Sequence, residues 1–410
     1  MSPKSASYTT RKTLPVLQVL PRLKEGGVEE STLAMARYLK GLQGPVRWIP
    51  HVTASRGKGL PSLIETGAIY HPLPLHSKNP LLWLWLSYKL IEVIRTHRIA
   101  IVHARSRACA WPARFAAWWC GVPFVTTFHG HYGLGGGWLK RFYNSVMVAG
   151  PFVIANSQFT KAHIIKEYKV APARIIVAAR GIDPDIFDPE RYPPEMREAL
   201  RKSLRVPKGV PLLLLVGRLT AWKGQHLLLE ALSLLPHRKF VVAFAGGAEG
   251  RGHYAEDLKG FAERLGLEEN IRWLGARPDI PALLTASTLA FSCSTRPEAF
   301  GRAAIEAMAM GVPIIASAHG GSLETIVDGE TGWLVKIEPN GANNGANNGE
   351  VLPQALADTI KKALRIKHSL ATIGASARQH VLRHYTVAQM CGAEVEAYKR
   401  CHAARTRKGR

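Results

Sequence analysis

The sequence predicts an α/β protein built as two doubly wound domains, and three observations carry that prediction. The chain has 410 residues, more than one ordinary hydrophobic core accommodates. Short apolar runs of strand length end in Gly, Pro or polar clusters and are followed by helical patterns. The alternation of strand and helix occurs twice over, which is the signature of parallel sheets covered by helices. Hydrophobic residues at 47% and charged residues at 20% place the chain among globular proteins and exclude a disordered one.

The strands of the first half are read at Val16–Leu20, Ile99–His103, Pro123–Phe128, Phe152–Ala155 and Ile175–Ala178. Those of the second half are read at Leu212–Val216, Phe240–Ala245, Ile271–Leu274, Leu289–Ser292 and Pro313–Ala316. Many are near-continuous Val, Ile, Leu and Phe, as strands covered on both faces require. Between them, Val28, Thr32, Met35, Leu39 and Leu42 recur at spacings of four and three, a helical stripe. The Pro- and Asp-rich stretch Asp183–Pro194, with a charged helix after it to Arg205, marks the boundary. The expected organisation is a first Rossmann-like domain over 1–190, a second over 191–385, and a segment 386–410 returning as a helix to the first domain before a basic tail. Gly341–Gly349 repeats Gly, Ala and Asn and reads as a surface loop. Arg405–Arg410 reads as a solvated, disordered basic run.

The formal net charge is +24, which excludes a neutral-surfaced protein and points to an anionic partner: nucleic acid, membrane surface or phosphorylated substrate. Residues 1–180 hold 24 basic and 6 acidic side chains, a net +18; residues 181–410 hold 30 and 24, a net +6. The five cysteines form no C-x-x-C pair and are odd in number, so neither a disulfide framework nor a zinc knuckle is expected. Reduced thiols imply a cytosolic chain. No apolar run is long enough to span a bilayer, and polar, basic Met1–Lys12 lacks the apolar region of a signal peptide.

Three segments could carry chemistry. The first is Arg296-Pro-Glu298-Ala-Phe300-Gly301-Arg-Ala-Ala-Ile-Glu306-Ala-Met-Ala-Met-Gly311, where the strand Leu289–Ser292 opens into a loop and a helix starts near Arg302. Free amides at that helix start would face the ligand position beyond the carboxyl ends of the strands. Two carboxylates there suit hydroxyl-rich ligands, since each accepts from paired hydroxyls. Taken singly, Glu298 and Glu306 read equally as helix-end acids favoured by the dipole. The second is Gly217-Arg218-Leu-Thr-Ala-Trp-Lys223-Gly224, whose two cations can clamp a diphosphate without a metal, or form a solvated basic turn. The third is Gly26-Gly27-Val-Glu29, where glycines let amides approach phosphate or merely mark a turn.

In this order the pieces resemble the retaining glycosyltransferases of family 4, which have the two-domain GT-B fold. The resemblance also takes in Thr127-Phe-His129-Gly, Gly181-Ile-Asp183, Gly320-Gly321-Ser-Leu-Glu324 and Gly332-Trp-Leu-Val335, so it covers nearly the whole chain. It implies two Rossmann-like domains facing a cleft. It implies that Arg218 and Lys223 hold the diphosphate of a UDP- or GDP-linked sugar, that Glu298 meets sugar hydroxyls and Glu306 ribose hydroxyls. Amides around Phe300 and Gly301 would meet phosphate or sugar, His129 would lie by the donor sugar, and Gly26-Gly27 near the phosphates. Arg180 departs from the pattern, since many relatives carry Asn before the Gly. The family's usual account is same-face attack with the leaving phosphate accepting the acceptor's proton, so no carboxylate nucleophile and no metal cofactor is expected.

Asp183-Pro-Asp185 spells a metal-binding D-x-D, yet its Pro-rich setting favours a turn. His103, His129 and His131 lack a fourth ligand at a fitting interval, and His380 with His384 lacks the Glu of a zinc helix. Six of the ten tryptophans (Trp83, Trp85, Trp111, Trp118, Trp119 and Trp138) fall between Lys78 and Arg141, among nine basic residues and one acid, Glu92. Such a region could lie on an anionic membrane or form core helices with snorkelling arginines. The reading is a glycosyltransferase moving a hexose-type sugar to a hydroxyl of a cell-envelope acceptor, as in lipopolysaccharide-core or glycolipid assembly. Its expected setting is cytoplasmic, peripheral on the inner face of the membrane, with an anionic or membrane-embedded glycan or lipid as acceptor. The alternatives are a sugar phosphorylase or nucleotide-sugar epimerase of the same fold, or a basic nucleic-acid-binding protein, for which no recognisable module is present and no nucleic acid is expected.

Overall fold

The computed structural model describes residues 12–24, 26–77, 79–130, 132, 137–248, 250, 252–339 and 349–408. Most of the low-complexity stretch (341–348), His131 and the extreme ends of the chain lie outside the described residues. The chain divides into two compact units, one of Met1–Asn156, Thr160–Ala178 and Met390–Arg410, the other of Ser157–Phe159 and Ala179–Gln389.

The first unit is built on β1 (Lys12–Arg22), β2 (Val46–Ser55), β3 (Ile69–Pro72), β4 (Ile101–Ala104), β5 (Phe124–Phe128), β6 (Phe152–Ala155) and β7 (Ile175–Val177). They form one parallel seven-stranded sheet in the order β3-β2-β1-β4-β5-β6-β7. Consecutive residues Val16 to Leu20 are buried, as a strand covered on both faces requires. The helix Gly27–Gly41 buries Thr32, Met35 and Leu39 of its stripe, while Val28 and Leu42 are half-buried at its ends. Strands β2 and β3 are absent from the sequence reading because β2 carries Pro50 and His51 inside its run. Pro50 pairs opposite Val16 of β1 one residue before β3 joins at His51, so a missing N–H facing that outer edge breaks no ladder bond.

The last helix, Val387–Lys408, closes this unit through polar groups buried in its core. The Arg105 guanidinium is fully buried and donates bidentately to Glu394, at 3.1 Å to Oε1 and 2.6 Å to Oε2, while its Nε donates to Gln18 at 2.8 Å. Burial pulls the Arg105 pKa down, and the charge and hydrogen bonds of Glu394, with Tyr398 and Cys391, together more than reverse that. Beside them His103 lies 2.7 Å from both the Tyr398 hydroxyl and Thr127 Oγ1. The helix is therefore fastened to β1 through Gln18, to β4 through His103 and through Arg105 directly after it, and to β5 through Thr127. The helix runs on to Lys408, so the basic run that the sequence places in a disordered tail starts inside it. The helix-favouring Ala403, Ala404 and Arg405 account for the extension.

The second unit carries β8 (Leu212–Val216), β9 (Val241–Ala245), β10 (Ile271–Gly275), β11 (Leu289–Ser292), β12 (Ile314–Ser317) and β13 (Gly332–Val335). They form a parallel six-stranded sheet in the order β10-β9-β8-β11-β12-β13. Apolar clusters fill both of its faces, one around Leu213, Leu215 and Phe291, the other around Leu214, Ala290 and Ile314. The order reverses between β8 and β11, the switch point where open α/β sheets bind ligands. At the entry to this unit Asp183 accepts a bond from the Asp185 amide at 3.0 Å, so the D-x-D is a turn.

Replacing Glu394 with Ala strands a buried guanidinium and lowers the unfolding free energy by about 3–5 kcal/mol, while Arg105→Met combined with Glu394→Leu recovers most of the loss. Denaturant unfolding of the three chains measures both effects, and an unchanged midpoint for Glu394→Ala contradicts the role given to the pair. A second prediction concerns pH. His51 and His71, 3.0 Å apart on β2 and β3, each have a pKa pushed down to about 4 by burial and by neighbouring histidines. Because the unfolded chain takes up these protons first, stability is full above the ordinary histidine pKa of 6.5 and falls towards pH 4. Replacing His51 with Phe flattens that slope in denaturant titrations; an identical slope rules the pair out as its source.

Candidate active site

Two loops leave the sheet of the second unit on either side of its switch point. The first follows β8 and runs Gly217-Arg218-Leu219-Thr220 into a short turn, Ala221–Lys223, that ends at Gly224. Gly224 has φ +77°, and a Cβ there would overlap the Cys293 carbonyl, so only glycine allows the turn to reach the helix Gln225–Ser233. The same close approach sets the Lys223 loop against the loop after β11. Thr295 N–H donates to the Trp222 carbonyl at 2.8 Å across that seam. The Gln225 amide holds the Arg218 carbonyl at 3.0 Å, leaving the Arg218 side chain on the exposed face of the loop.

The second loop carries Glu298. Its Oε1 accepts from Lys223 Nζ at 2.7 Å and from the Ser294 hydroxyl. Lys223 also lies over the Trp222 ring, 4.5 Å from its centroid. The pair is largely shielded, with side-chain exposures of 17% for Lys223 and 13% for Glu298. Gly301, at φ +83°, ends the loop and opens the helix Arg302–Ala309. Inside that helix Glu306 is buried and its carboxylate accepts from Arg302 Nε at 2.7 Å. The helix thus presents its amino end and a buried carboxylate beyond β11.

A third loop, Ala318-His319-Gly320-Gly321, follows β12 and packs on the second. The Gly321 amide donates to the Glu298 carbonyl at 2.9 Å, and a Cβ at either glycine would overlap the backbone at Glu298 or Phe300. This brings His319 to the site. It is buried, which lowers its pKa, against raising contributions from the backbone at His319 and Ser294 and from the Glu298 charge.

Lys223, Glu298, Phe300 and Gly301 are therefore gathered around one switch point, with Arg218 on the same loop as Lys223 and Glu306 on the helix that follows. Ser294 and His319 join them and were not singled out from sequence. The available signal was position: His319 lies two residues after a strand and precedes the Gly-Gly pair, and Ser294 lies four residues before Glu298. The remaining site candidates lie in the first unit. Gly26 caps the helix Gly27–Gly41 after β1 in an extended conformation with φ 165° that needs no glycine, and its carbonyl accepts from the Glu30 amide at 3.0 Å. Burial raises the pKa of Glu29 in that first turn. His129 follows β5 directly and is half-buried. Among the described residues no group of three or more His, Cys, Asp or Glu side chains is placed to hold a metal ion.

Two parallel Rossmann-like sheets, with cationic and carboxylate side chains at one switch point, define a glycosyltransferase of the GT-B fold. The chain belongs to the family 4 glycosyltransferases: the family Glycosyl transferases group 1 matches residues 196–380 and Glycosyltransferase Family 4 matches residues 25–186. The chain is 34% identical to a glycosyltransferase of Rickettsia africae, with a TM-score of 0.84 over 95% of this chain and 98% of that one. It is 25% identical to Anabaena HepE, solved in complex with UDP and glucose, with a TM-score of 0.79 over 94% and 99% of the two chains. A D-inositol 3-phosphate glycosyltransferase of Corynebacterium aurimucosum is 32% identical over 189 residues, 45% of this chain and 44% of that protein. The match thus spans less than half the length of that relative.

Gly224→Ala forces a side chain into the left-handed region and against the Cys293 carbonyl, costing more than about 1 kcal/mol of stability. It also pushes the Lys223 loop away from the loop after β11. Denaturant unfolding reads the loss, and an unchanged midpoint contradicts the seam between the loops.

Proposed function

We propose that the chain moves a sugar from a UDP- or GDP-linked donor to a hydroxyl acceptor, with retention and without a metal. The observation that carries this reading is the Lys223–Glu298 pair, 2.7 Å apart across the switch point. An ammonium has three N–H donors and Glu298 takes one, so two remain for phosphate oxygens. Glu298 uses Oε1 for both of its bonds, so Oε2 is left to accept from a sugar hydroxyl. Arg218 adds a second cation to the diphosphate, the amides at Phe300 and Gly301 meet phosphate or sugar, and Glu306, oriented by Arg302, accepts from ribose hydroxyls. In the first unit, His129 serves the donor sugar and Gly26 and Gly27 its phosphates.

The chemistry follows from charge. As the bond from anomeric carbon to phosphate oxygen breaks, positive charge grows on the sugar ring and negative charge on the departing diphosphate. Arg218 and Lys223 stabilise that negative charge at fixed positions. The acceptor oxygen bonds to the anomeric carbon on the same face, and its proton passes to the leaving phosphate. UDP in the HepE structure supports a nucleotide-linked donor. The net +18 of residues 1–180 supports an anionic acceptor, and a lipopolysaccharide-core or glycolipid hydroxyl fits it. Relatives named D-inositol 3-phosphate glycosyltransferases have, in that name, a phosphorylated polyol.

Labelled UDP-, GDP- and ADP-sugars, supplied with envelope lipid extract, test the reading. Transfer of label to lipid supports it, and absence of nucleotide release with every donor overturns it. Phosphate-driven glycan cleavage would indicate a phosphorylase instead. Chelation with EDTA leaves the rate unchanged; a loss restored by Mn²⁺ overturns the metal-free part. Arg218→Ala and Glu306→Ala each weaken nucleotide binding roughly tenfold or more in calorimetry with the unfolding midpoint retained. His129→Ala lowers turnover about 10²-fold with a smaller change in donor affinity, and wild-type turnover would remove His129 from the site.

A further inference from the structure

We propose that three neighbouring helices of the first unit form a docking surface for an anionic lipid bilayer. The helix Pro80–Thr96 is apolar on two opposite sides. Leu86, Leu90 and Ile94 are buried against the unit, while Leu81, Leu84, Trp85 and Tyr88 form an exposed stripe at spacings of three, one and three residues. A helix covering a soluble core needs only the first of these faces.

The helix Arg107–Trp119 inverts the usual distribution of side-chain size. Its buried face consists of Cys109, Ala110, Pro112, Ala113, Ala116 and Ala117, and its exposed face carries Phe115, Trp118 and Trp119. Small residues face the sheet, and these three large rings face away from it. Trp118 is 68% exposed, the most of the three rings. The helix Gly137–Ser145 adds Trp138, 74% exposed, with Leu139 and Phe142.

Ring contacts join the three helices into one surface. Trp83 stacks with Tyr143 and Trp111 stacks with Phe142, at centroid distances of 6.4 and 4.8 Å. Phe115, one turn beyond Trp111, continues to Trp118 and Trp119 at 5.8 and 6.1 Å. Contiguous apolar surfaces of this kind mark interaction sites.

The charge around the rings selects the occupant. Exposed Arg95, Arg114, Lys140 and Arg141 lie on the same three helices. The single acid among residues 78–141, Glu92, is paired with Lys89 at 2.9 Å. A second copy of the chain would bring like charges together, whereas an anionic headgroup layer complements them. Indole and phenol rings beside Lys and Arg suit the boundary between headgroups and acyl chains. No helix among the described residues is long and apolar enough to cross a membrane, so these helices would lie in the plane of the interface. Such docking would bring the chain to a lipid-borne acceptor.

The full chain is mixed with vesicles of phosphatidylcholine alone or of phosphatidylcholine with phosphatidylglycerol, and bound protein is separated by flotation. Binding to the anionic vesicles is expected to be at least roughly tenfold tighter and to weaken with salt. Trp118→Glu combined with Trp119→Glu is expected to lower it at least tenfold, with the unfolding midpoint and nucleotide affinity unchanged. Arg114→Glu with Arg141→Glu is expected to remove the preference for anionic vesicles. Equal binding by wild type and the tryptophan variant overturns the proposal. So does a wild-type chain that ignores both vesicles and sediments as a dimer, with the tryptophan variant monomeric. Vesicle binding is read without nucleotide, so its failure leaves the donor site standing.

Discussion

The buried ion pair between Arg105 and Glu394 is the constraint on which the first unit depends. A guanidinium placed fully inside a protein is tolerable only with its counter-charge in place, and that counter-charge lies 289 residues further along the chain. The first sheet is therefore incomplete until the last helix has arrived. His103, held between Thr127 and Tyr398, sets the same requirement a second time with neutral groups. The chain leaves the first unit after Ala178 and re-enters it at Met390. Near those two crossings Ile182 forms a parallel bridge with Thr386. The second unit, by contrast, is drawn from the single stretch Ala179–Gln389 apart from the three residues Ser157–Phe159. Contacts of such long sequence separation are slow to form, so the second unit has the topological advantage in folding order.

The binding chemistry follows from a different constraint, the reversal of strand order between β8 and β11. Loops leaving the two strands diverge there, and their backbones create a space that side chains from both can line. Gly224 and the Gly320-Gly321 pair then bring the three loops together by removing the side chains that would hold them apart. The result is a cation and a carboxylate in contact, each with hydrogen-bonding capacity to spare. The less basic part of the sequence supplies these groups, so the large positive charge of the first 180 residues belongs to a different part of the chain.

How much of this was legible depended on whether the signal was local. Leu212–Val216 and Leu289–Ser292 were read to the residue because each is an uninterrupted apolar run. Strand β2 was missed because Pro50 and His51 interrupt its pattern, and β3 because four residues with a His and a Pro read as a loop. Glu298, Arg218 and Lys223 were legible because glycines and strand ends frame them. Ser294 and His319 were not, since an isolated serine or histidine after a strand has no spacing to distinguish it. The Arg105–Glu394 pair left no mark at all, because neither residue is unusual in its own neighbourhood. The tryptophan-rich region was seen, yet composition alone could not separate core from surface; the alanine face of the helix Arg107–Trp119 does that.

That alanine face has a consequence for how the protein can change. Small side chains let the helix backbone sit close to the sheet, and they account for its contribution to the core. The large rings on the other side take no part in that packing. Fold and outward surface are thus encoded on one helix by different residues. Substitutions among Phe115, Trp118 and Trp119 can retune what the surface adheres to without disturbing the sheet beneath. The same scaffold could diverge in where it works while conserving what it catalyses.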